Sequence, residues 1–337
     1  MVMSVSGFNN KKMKHFLPFS ILAILLTYLS CAERSPISVK NKPESSLPTV
    51  SKYWESTGDS LESYREVWSI LFDPSDRIFV GTSQGVFHST DAGESWLPFG
   101  LKDTTVWALS FSGDGQLIAG TSYGVFGKHP LTAPWKKRGL DSSIVISLAV
   151  KVPHVIIAGT LNGVMVSRDN GLTWTVRALD QLKIQALAVN QSGHIFAGTQ
   201  YMDIYRSEDE GTSWTRLKLS ARNESVLTLE IGGGGEIFAG TSNAGIFRSN
   251  DNGQSWIQIN SGLSYYAITA LKTDLAGGLL AGLNGDGVFY LTENETRWKD
   301  ISLGLKNYFI RSLGMNSEGR VFVGTANGVF RSTQLFR

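Results

Sequence analysis

From residue 67 onward, short apolar runs alternate with polar turns, and the whole pattern recurs every 39 to 42 residues. A first run such as VWSILF (67–72) is followed by a polar turn, a second run such as IFVGTS, a third such as GVFHS and then a tryptophan. No run has helical length, and β-branched and aromatic residues dominate, which indicates strands. Four short strands in about 40 residues predict one blade of a β-propeller. The units begin at Val67, Val106, Val145, Ile184, Val226, Ile268 and Ile310.

The tryptophans indicate how the array closes. Six units hold a fourth-strand tryptophan, whereas the seventh unit ends at Arg337 before one occurs. The segment Tyr53-Trp54-Glu55-Ser56-Thr57-Gly58 precedes the first full unit and has the pattern of a fourth strand. We predict that it completes the seventh blade and removes the open sheet edge. The expected fold is all-β, a seven-bladed β-propeller of four-stranded antiparallel blades over residues 51–337.

A glycine recurs at one position of every second strand. A residue without a side chain there lets neighbouring blades approach closely. A phosphate-binding glycine loop would need a following helix, and none is indicated. The glycines are Gly81, Gly120, Gly159, Gly198, Gly240, Gly282 and Gly324.

Four turns before the fourth strand share the sequence Ser-x-Asp-x-Gly-x-Ser/Thr-Trp, and we call them the tryptophan turns. We expect the Asp to accept backbone N–H bonds within its own turn, the Gly to adopt positive φ, and the hydroxyl to tie the strand ends. Blades 2 and 6 keep the tryptophan but lose the Asp and Gly, so a packing role for the ring is expected. The structural residues are Asp91 and Trp96, Asp169 and Trp174, Asp209 and Trp214, and Asp251 and Trp256.

These turns match the Asp-box, so residues 52–335 resemble the Asp-box (BNR-repeat) β-propellers. That superfamily includes sialidases, some endoglucanases, sortilin-type receptors and exported photosystem II assembly factors. The resemblance implies that a ligand would bind on the face formed by the connections into the first strands. It leaves open whether the chain is an enzyme.

The N-terminus has the pattern of an export signal. Lys11, Lys12 and Lys14 precede an apolar run from Phe16 to Leu29, which is short for a membrane span. It ends at Cys31, the single cysteine of the chain, in a context that resembles a bacterial lipobox. We predict a lipoprotein signal peptide over 1–30, lipidation of Cys31 and a flexible tether over 31–50. The chain would be lipid-anchored in the bacterial envelope, in the outer membrane, or secreted or periplasmic if Cys31 is not lipidated.

Charge restricts the class of partner. The net charge is +2 for the whole chain and close to neutral without the lysines of the signal, which argues against nucleic acid. The histidines lack metal-ligand spacing, and the tryptophan turns have too few acids for a calcium loop. We expect a monomer without cofactor or metal.

Candidate ligand-binding residues lie at the starts of the first strands and in the turns between the second and third strands. Aromatic residues with a few arginines suit a glycan or peptide patch, although the same tryptophans could simply fill the channel. The residues are Tyr64, Arg65, Trp68, Trp107, Tyr123, Gln185, Tyr201, Arg222, Tyr265, Tyr308 and Arg311.

Three functions are compatible with these features. The favoured hypothesis is a non-enzymatic, envelope-anchored module that binds or assembles a protein or glycan through its channel face. A sialidase-like glycoside hydrolase is an alternative, because Arg65, Arg222 and Arg311 fall in the zone of a carboxylate clamp, although the Arg-Ile-Pro signature of sialidases is absent. A protein similar to the photosystem II assembly factors is the other alternative.

Overall fold

The computed structural model describes residues 52–58, 61, 66–129, 131–201, 203–219 and 224–337. The predictions for the signal peptide, Cys31 and the tether lie outside these residues. All described residues belong to one compact unit, Glu44–Arg337. No helix long and apolar enough to cross a membrane occurs in the part of the chain that the structure describes.

The described residues form 28 strands, named here in chain order. The first is β1 (Trp54–Ser56). Blades 1 to 3 contain β2 (Val67–Phe72), β3 (Ile78–Thr82), β4 (Gly85–Ser89), β5 (Leu97–Gly100), β6 (Val106–Phe111), β7 (Leu117–Thr121), β8 (Gly124–Lys128), β9 (Lys136–Lys137), β10 (Val145–Lys151), β11 (Val155–Thr160), β12 (Gly163–Ser167) and β13 (Val176–Ala178).

Blades 4 to 7 continue the same order. They contain β14 (Ile184–Val189), β15 (Ile195–Thr199), β16 (Asp203–Ser207), β17 (Thr215–Lys218), β18 (Val226–Ile231), β19 (Ile237–Thr241), β20 (Ile246–Ser249), β21 (Ile257–Gln258), β22 (Ile268–Thr273), β23 (Leu279–Leu283), β24 (Gly287–Leu291), β25 (Lys299–Asp300), β26 (Ile310–Met315), β27 (Arg320–Thr325) and β28 (Gly328–Leu335).

The strands form seven four-stranded antiparallel sheets, and we name the strands of each blade A to D in their order across the sheet, with β2 as strand A of blade 1. The A strands contact one another in sequence from β2 through β26, and β26 contacts β2 again. They therefore form a closed ring around the central channel, with the B, C and D strands further out. The predicted seven-bladed β-propeller is confirmed.

The seventh blade is completed by the N-terminal strand, as predicted. Its order is β26, β27, β28 and β1, and Trp54 of β1 lies opposite Ser332 of β28. Trp54 is fully buried and donates its indole N–H to Ile301 O of blade 6 at 2.6 Å. Gly58 N donates to Gly93 O of blade 1 at 2.9 Å. The segment thus links blades 6, 7 and 1.

The glycine of every B strand lies against the next blade, as the repeat pattern indicated. A Cβ added at Gly240 would lie 2.7 Å from Ile268 Cγ2, where Ile268 begins the next A strand. At Gly324 the corresponding neighbour is Val67 of blade 1, so the same contact also closes the ring. Side chains at this position would push adjacent blades apart.

The four tryptophan turns have the expected hydrogen bonds. In the blade 5 turn, Asp251 Oδ1 accepts from Ser249 Oγ at 2.8 Å and from Ser255 N at 2.8 Å, while its Oδ2 accepts from Ser255 Oγ at 2.5 Å. Gly253 N donates to Ser249 Oγ at 2.9 Å, and Gly253 has a φ of 85°. The residue before it, Asn252, also has positive φ, at 60°. Two successive left-handed residues make the turn tight, and only the glycine had been expected there.

The tryptophans differ from the prediction in two respects. Six of them precede the D strand instead of beginning it, and four are only half-buried: Trp135, Trp174, Trp214 and Trp256. In most blades the indole N–H donates to a residue in or just after strand D of the preceding blade, as from Trp174 to Arg138 O at 2.6 Å. Trp214 and Trp256 instead donate to a glycine carbonyl of their own turn. The ring therefore acts as a polar link between blades as well as a packing group.

Candidate functional site

One end of the channel combines the B–C turns with the connections that lead into the A strands. In six blades, the residue that follows strand B donates its N–H to the carbonyl of the residue just before strand A. Examples are Ser83 N to Glu66 O at 3.1 Å and Gln200 N to Lys183 O at 3.1 Å. The two kinds of loop therefore share one face, which we call the channel-mouth face. The tryptophan turns lie at the other ends of the strands.

A β-bulge recurs at the same place in all seven blades. The first residue of strand A pairs with the Thr or Leu that ends strand B, but the next pair begins at the third residue. The second residue of each A strand therefore has no partner in the ladder, and a bulge re-aims such a side chain. The seven bulged residues are Trp68, Trp107, Ile146, Gln185, Leu227, Thr269 and Arg311.

Three consecutive blades contribute an aromatic and cationic cluster to this ring. The Trp68 and Trp107 rings are 4.7 Å apart between centroids, at 50° to each other. Arg311 of blade 7 places its guanidinium carbon 5.1 Å from the Trp68 ring centroid, within cation–π distance. Trp107 is buried and donates its indole N–H to Ser122 Oγ at 3.2 Å. Trp107 thus fills part of the channel, whereas Trp68 and Arg311 are only partly buried.

Arg311 is held by polar partners on both sides. Its Nη1 donates to Asn284 Oδ1 at 3.1 Å, and its Nη2 lies 3.2 Å from Glu66 Oε1. Because its side chain is only 11% exposed, the guanidinium is fixed in place by these two contacts and by Trp68. A fixed, partly desolvated guanidinium suits recognition of an oxygen acceptor on a ligand.

The opposite part of the channel is neutral and combines aliphatic with polar residues. Ile146, Leu227 and Gln185 line a cavity of about 190 Å³ together with Ser69, Ser147 and Trp107. Both polar atoms of the buried Gln185 amide lack a hydrogen-bond partner among the described residues, as do the hydroxyls of Ser69 and Ser147. Unpaired buried polar groups destabilise the structure, so the channel interior favours ligands that supply hydrogen-bond partners.

The exposed aromatic side chains among the described residues lie on the channel-mouth face. Tyr123 and Tyr201, in B–C turns, are 52% and 64% exposed. Tyr266, Tyr308 and Phe309, in connections into A strands, are also exposed. The opposite face exposes aliphatic residues instead, such as Leu172 in the blade 3 tryptophan turn. Exposed aromatics confined to one face are typical of an interaction surface.

The other predicted residues fall into two groups. Tyr64, Arg65 and Arg222 lie outside the described residues. Tyr265 is half-buried and packs against the apolar cluster shared by blades 5 and 6. The structure thus brings Trp68, Trp107 and Arg311 together. It places Gln185 across the channel and spreads the tyrosines around the rim.

Three residues near the channel mouth were not predicted from the sequence: Lys183, Glu66 and Asn284. Lys183 is buried just before strand A of blade 4, and this burial lowers the pKa of its ammonium group to about 8. Its sequence signal is a lysine immediately before a buried strand, which is too common to be diagnostic. Glu66 and Asn284 become visible only once the fold brings them to Arg311. Within the described ranges, no group of three or more His, Cys, Asp or Glu residues could hold a metal ion.

Comparisons with solved structures support the architecture. An extracellular domain of a putative hybrid two-component system from B. thetaiotaomicron (BT4673) is 18% identical with a TM-score of 0.73, covering 85% of this chain and 40% of that one. A streptogramin B lyase is 12% identical with a TM-score of 0.73, covering 84% and 98%. YCF48 bound to a D1 peptide is 15% identical with a TM-score of 0.67, covering 84% and 97%. The chain thus spans about 40% of the length of the sensor domain, and these similarities show the fold alone.

Comparisons of the sequence are more specific. No curated protein matches the chain. The family model PSII_BNR, described as photosynthesis system II assembly factor YCF48, matches residues 127–334, which is more than half of the chain. Together with the seven-bladed ring, this match shows that the chain belongs to the YCF48-like (PSII_BNR) family of β-propellers.

Proposed function

We propose that this protein is a binding module that holds a segment of a partner polypeptide on its channel-mouth face. The observation that carries the proposal is the confinement of the exposed aromatic residues to that face. Aromatic residues supply large contact area at low entropic cost, and they are enriched in interface hot spots. Tyr123, Tyr201 and Tyr308 come from different blades, so together they surround the mouth.

The centre of the mouth supports the same function. Arg311 is already fixed by Glu66, Asn284 and Trp68, so binding would not need to order its side chain. Its guanidinium can donate to a main-chain carbonyl or a carboxylate of the bound segment. The unpaired Gln185 amide offers a donor and an acceptor deeper in the channel. A peptide supplies both kinds of partner along its backbone.

The family supports a polypeptide rather than a glycan as the ligand. YCF48 has been solved bound to a D1 peptide, which shows that this fold can present a peptide-binding surface in that protein. Assembly of photosystem II is the narrower form of our proposal, and it requires a source organism that makes photosystem II. The broader form, a polypeptide-binding module, does not depend on the source.

We also propose that the protein is exported and anchored through Cys31. The sequence of the leader supports this location, and structural neighbours with the same fold are extracellular domains of bacterial proteins. Metabolic labelling with a palmitate analogue should tag the wild type and not Cys31→Ser. Labelling of both proteins, or of neither, would contradict the lipid anchor, but it would not test the proposed binding face.

Site-specific photocrosslinking tests the binding face. A photoreactive phenylalanine analogue would replace Tyr201 or Tyr308 and, as a matched control, Leu172, which is as exposed as Tyr201 but lies on the opposite face. We expect discrete adducts with one envelope protein from the two tyrosine positions and none from Leu172. Equal adducts from all three positions, or adducts from Leu172 alone, would refute the proposed face.

Enzyme assays test the glycosidase alternative separately. In the described residues, Glu66 already occupies one side of the Arg311 guanidinium, so a substrate carboxylate would have to displace it. We expect no turnover of aryl sialosides by the purified protein. Turnover that is lost in Arg311→Ala would replace binding by hydrolysis as the function of the site.

A further inference from the structure

A second cleft lies far from the channel mouth, on the tryptophan-turn face between blades 5 and 6. It has a volume of about 640 Å³ and is lined by the outer part of blade 5 and the lower ends of the blade 6 strands. Its walls are mixed: Phe238, Ile259 and Leu279 are apolar, while Arg248 and Glu293 are charged. The face and the residues are different from those of the proposed peptide site.

Four of the other blade junctions are filled by a tryptophan turn. The turn of blade 5 packs on blade 4 so tightly that a Cβ at Gly253 would lie 2.5 Å from Leu217 Cδ1. The turn of blade 4 packs on blade 3 in the same way, with Val166 Cγ2 at 2.8 Å from a Cβ at Gly211. Blade 6 has Leu291-Thr-Glu-Asn-Glu-Thr-Arg-Trp298 instead, without the Asp and Gly that form such a turn.

Each of the four filled junctions also has a polar contact of one kind. A side chain of the preceding blade donates to the carbonyl of the residue that follows the Asp of the turn. The pairs are Arg331 Nη1 to Ala92 O at 3.0 Å, Gln116 Nε2 to Asn170 O at 3.2 Å, Arg168 Nη2 to Glu210 O at 3.2 Å and Arg206 Nη1 to Asn252 O at 2.8 Å. Recognition of a polypeptide turn is therefore built into the repeat.

Arg248 is the blade 5 counterpart of Arg206, at the same position of strand C. It contacts Asn250 Oδ1 at 2.9 Å and Glu236 Oε1 at 3.4 Å, both on its own blade. Residues 224–337 are described without a gap, and within them no hydrogen bond links residues 292–297 to blade 5. The donor is present at this junction, whereas its usual acceptor turn is missing.

Blade 2 also lacks the turn, but its junction with blade 1 is filled in another way. Phe99 packs edge-on against Phe79 at 5.1 Å, and Lys128 of blade 2 lies 4.2 Å from the Phe99 ring centroid. His88, the counterpart of Arg248, stacks against Phe79. Loss of the turn therefore does not by itself leave a junction open.

We propose that the cleft between blades 5 and 6 binds a turn of a partner polypeptide, which takes the place of the missing tryptophan turn. Arg248 would donate to a main-chain carbonyl of that turn, as Arg206 does within the chain. The lining of the cleft carries an excess of negative charge. It contains four acidic residues and one basic residue: Glu236, Asp274, Glu293 and Glu295, and Arg248. Glu293 makes no ion pair among the described residues. The bound turn therefore carries a lysine or arginine near Glu293.

A peptide copied from the chain itself is the probe. A fluorescein-labelled peptide with the sequence of residues 247–258, FRSNDNGQSWIQ, contains a complete tryptophan turn and one arginine. We expect saturable binding to the wild-type protein in fluorescence anisotropy, with a dissociation constant below about 500 µM for so short a ligand. Replacement of residues 291–297 by the Ser249–Ser255 sequence supplies the turn in cis and should weaken binding at least tenfold.

Point variants separate the cleft from general effects. Arg248→Gln and Glu293→Gln should each weaken binding about three- to tenfold, as expected for loss of one charged contact. Glu318→Gln, in an exposed A–B turn of blade 7, should leave it unchanged. Absence of saturable binding up to 5 mM peptide, about tenfold above the expected constant, or equal binding by the replacement variant, overturns the proposal. So does a wild type that is dimeric in sedimentation while the replacement variant is monomeric, because the occupant is then a second copy.

Discussion

Removal of the Trp54 side chain should open the ring. Trp54 is fully buried in a cluster with Ile301, Leu305 and Phe330, so Trp54→Ala loses about 3–5 kcal/mol of packing. It also leaves the buried Ile301 carbonyl without its 2.6 Å hydrogen bond, which costs about a further 1–3 kcal/mol. We expect a total of about 4–8 kcal/mol, a large part of the roughly 5–15 kcal/mol by which domains are stable.

Guanidinium denaturation followed by circular dichroism measures this loss on protein that begins at residue 32. Trp256→Ala is the matched control, because that ring is only half-buried and donates within its own turn. The free energy of unfolding of this control should fall by about 1–2 kcal/mol, because less apolar area of the ring is buried. If Trp54→Ala does not fold, Trp54→Phe keeps most of the packing and should lose about 1–3 kcal/mol from the missing hydrogen bond.

Two outcomes would refute this reasoning. Equal losses for Trp54→Ala and Trp256→Ala would show that the closing strand is no more important than an ordinary blade edge. Equal melting temperatures after deletion of residues 51–58 and of residues 32–50 would show the same for the whole segment. The first deletion should be far more damaging, because it removes β1 and with it the contacts to blades 6 and 1.

Three further predictions concern stability. Gly240→Ala should cost about 1–3 kcal/mol in thermal or chemical unfolding, because its Cβ would lie 2.6 Å from Thr228 Cγ2, whereas Gly233→Ala, with nothing within 4 Å, should cost far less. The hydroxyl of Ser255 and backbone N–H groups hold the pKa of Asp251 at about 2, below the unfolded value of about 3.9. The stability from this carboxylate is therefore fully present above about pH 4 and is lost as the pH falls toward about 2. Between these pH values the denaturation midpoint of Asp251→Asn should change less than that of the wild type. Burial lowers the pKa of Lys183 to about 8, so the unfolded chain binds more protons between about pH 8 and 10, and stability should rise with pH there in the wild type but not in Lys183→Met.

The blade pattern and the ring closure could be predicted because both depend on local signals. Repeats at a fixed spacing mark the blades, and the unpaired tryptophan of residues 53–58 marks the missing strand. The strand-B glycines and the bonds of the tryptophan turns were also predictable, since each rests on the conformation of one or a few neighbouring residues. These features need no knowledge of what lies across a junction.

The bulge and the inter-blade contacts were not predictable in the same way. Apolar and polar residues do not alternate clearly in VWSILF and IQALAV. The extra residue of the bulge, at Trp68 or Gln185, therefore cannot be recognised from the sequence. The indole of Trp174 reaches a carbonyl 36 residues earlier, and only the packing of blades selects that partner. The cleft between blades 5 and 6 depends on what fills the neighbouring junctions. Trp256 illustrates the limit, since its repeat position is identical to that of the buried Trp96 while its burial is not.

The pairing of β1 with β28 also determines the order in which the molecule can mature. The indole of Trp54 bonds to a carbonyl 247 residues later, and its sheet partner Ser332 lies further still along the chain. During synthesis β1 emerges first among the described strands, and the blade it completes emerges last. The first six blades can form while the chain grows, but the ring can close only after the last strand is released. Contacts of such long sequence separation slow folding, so a complete chain has a late, closure-limited step that a chain lacking β28 never reaches.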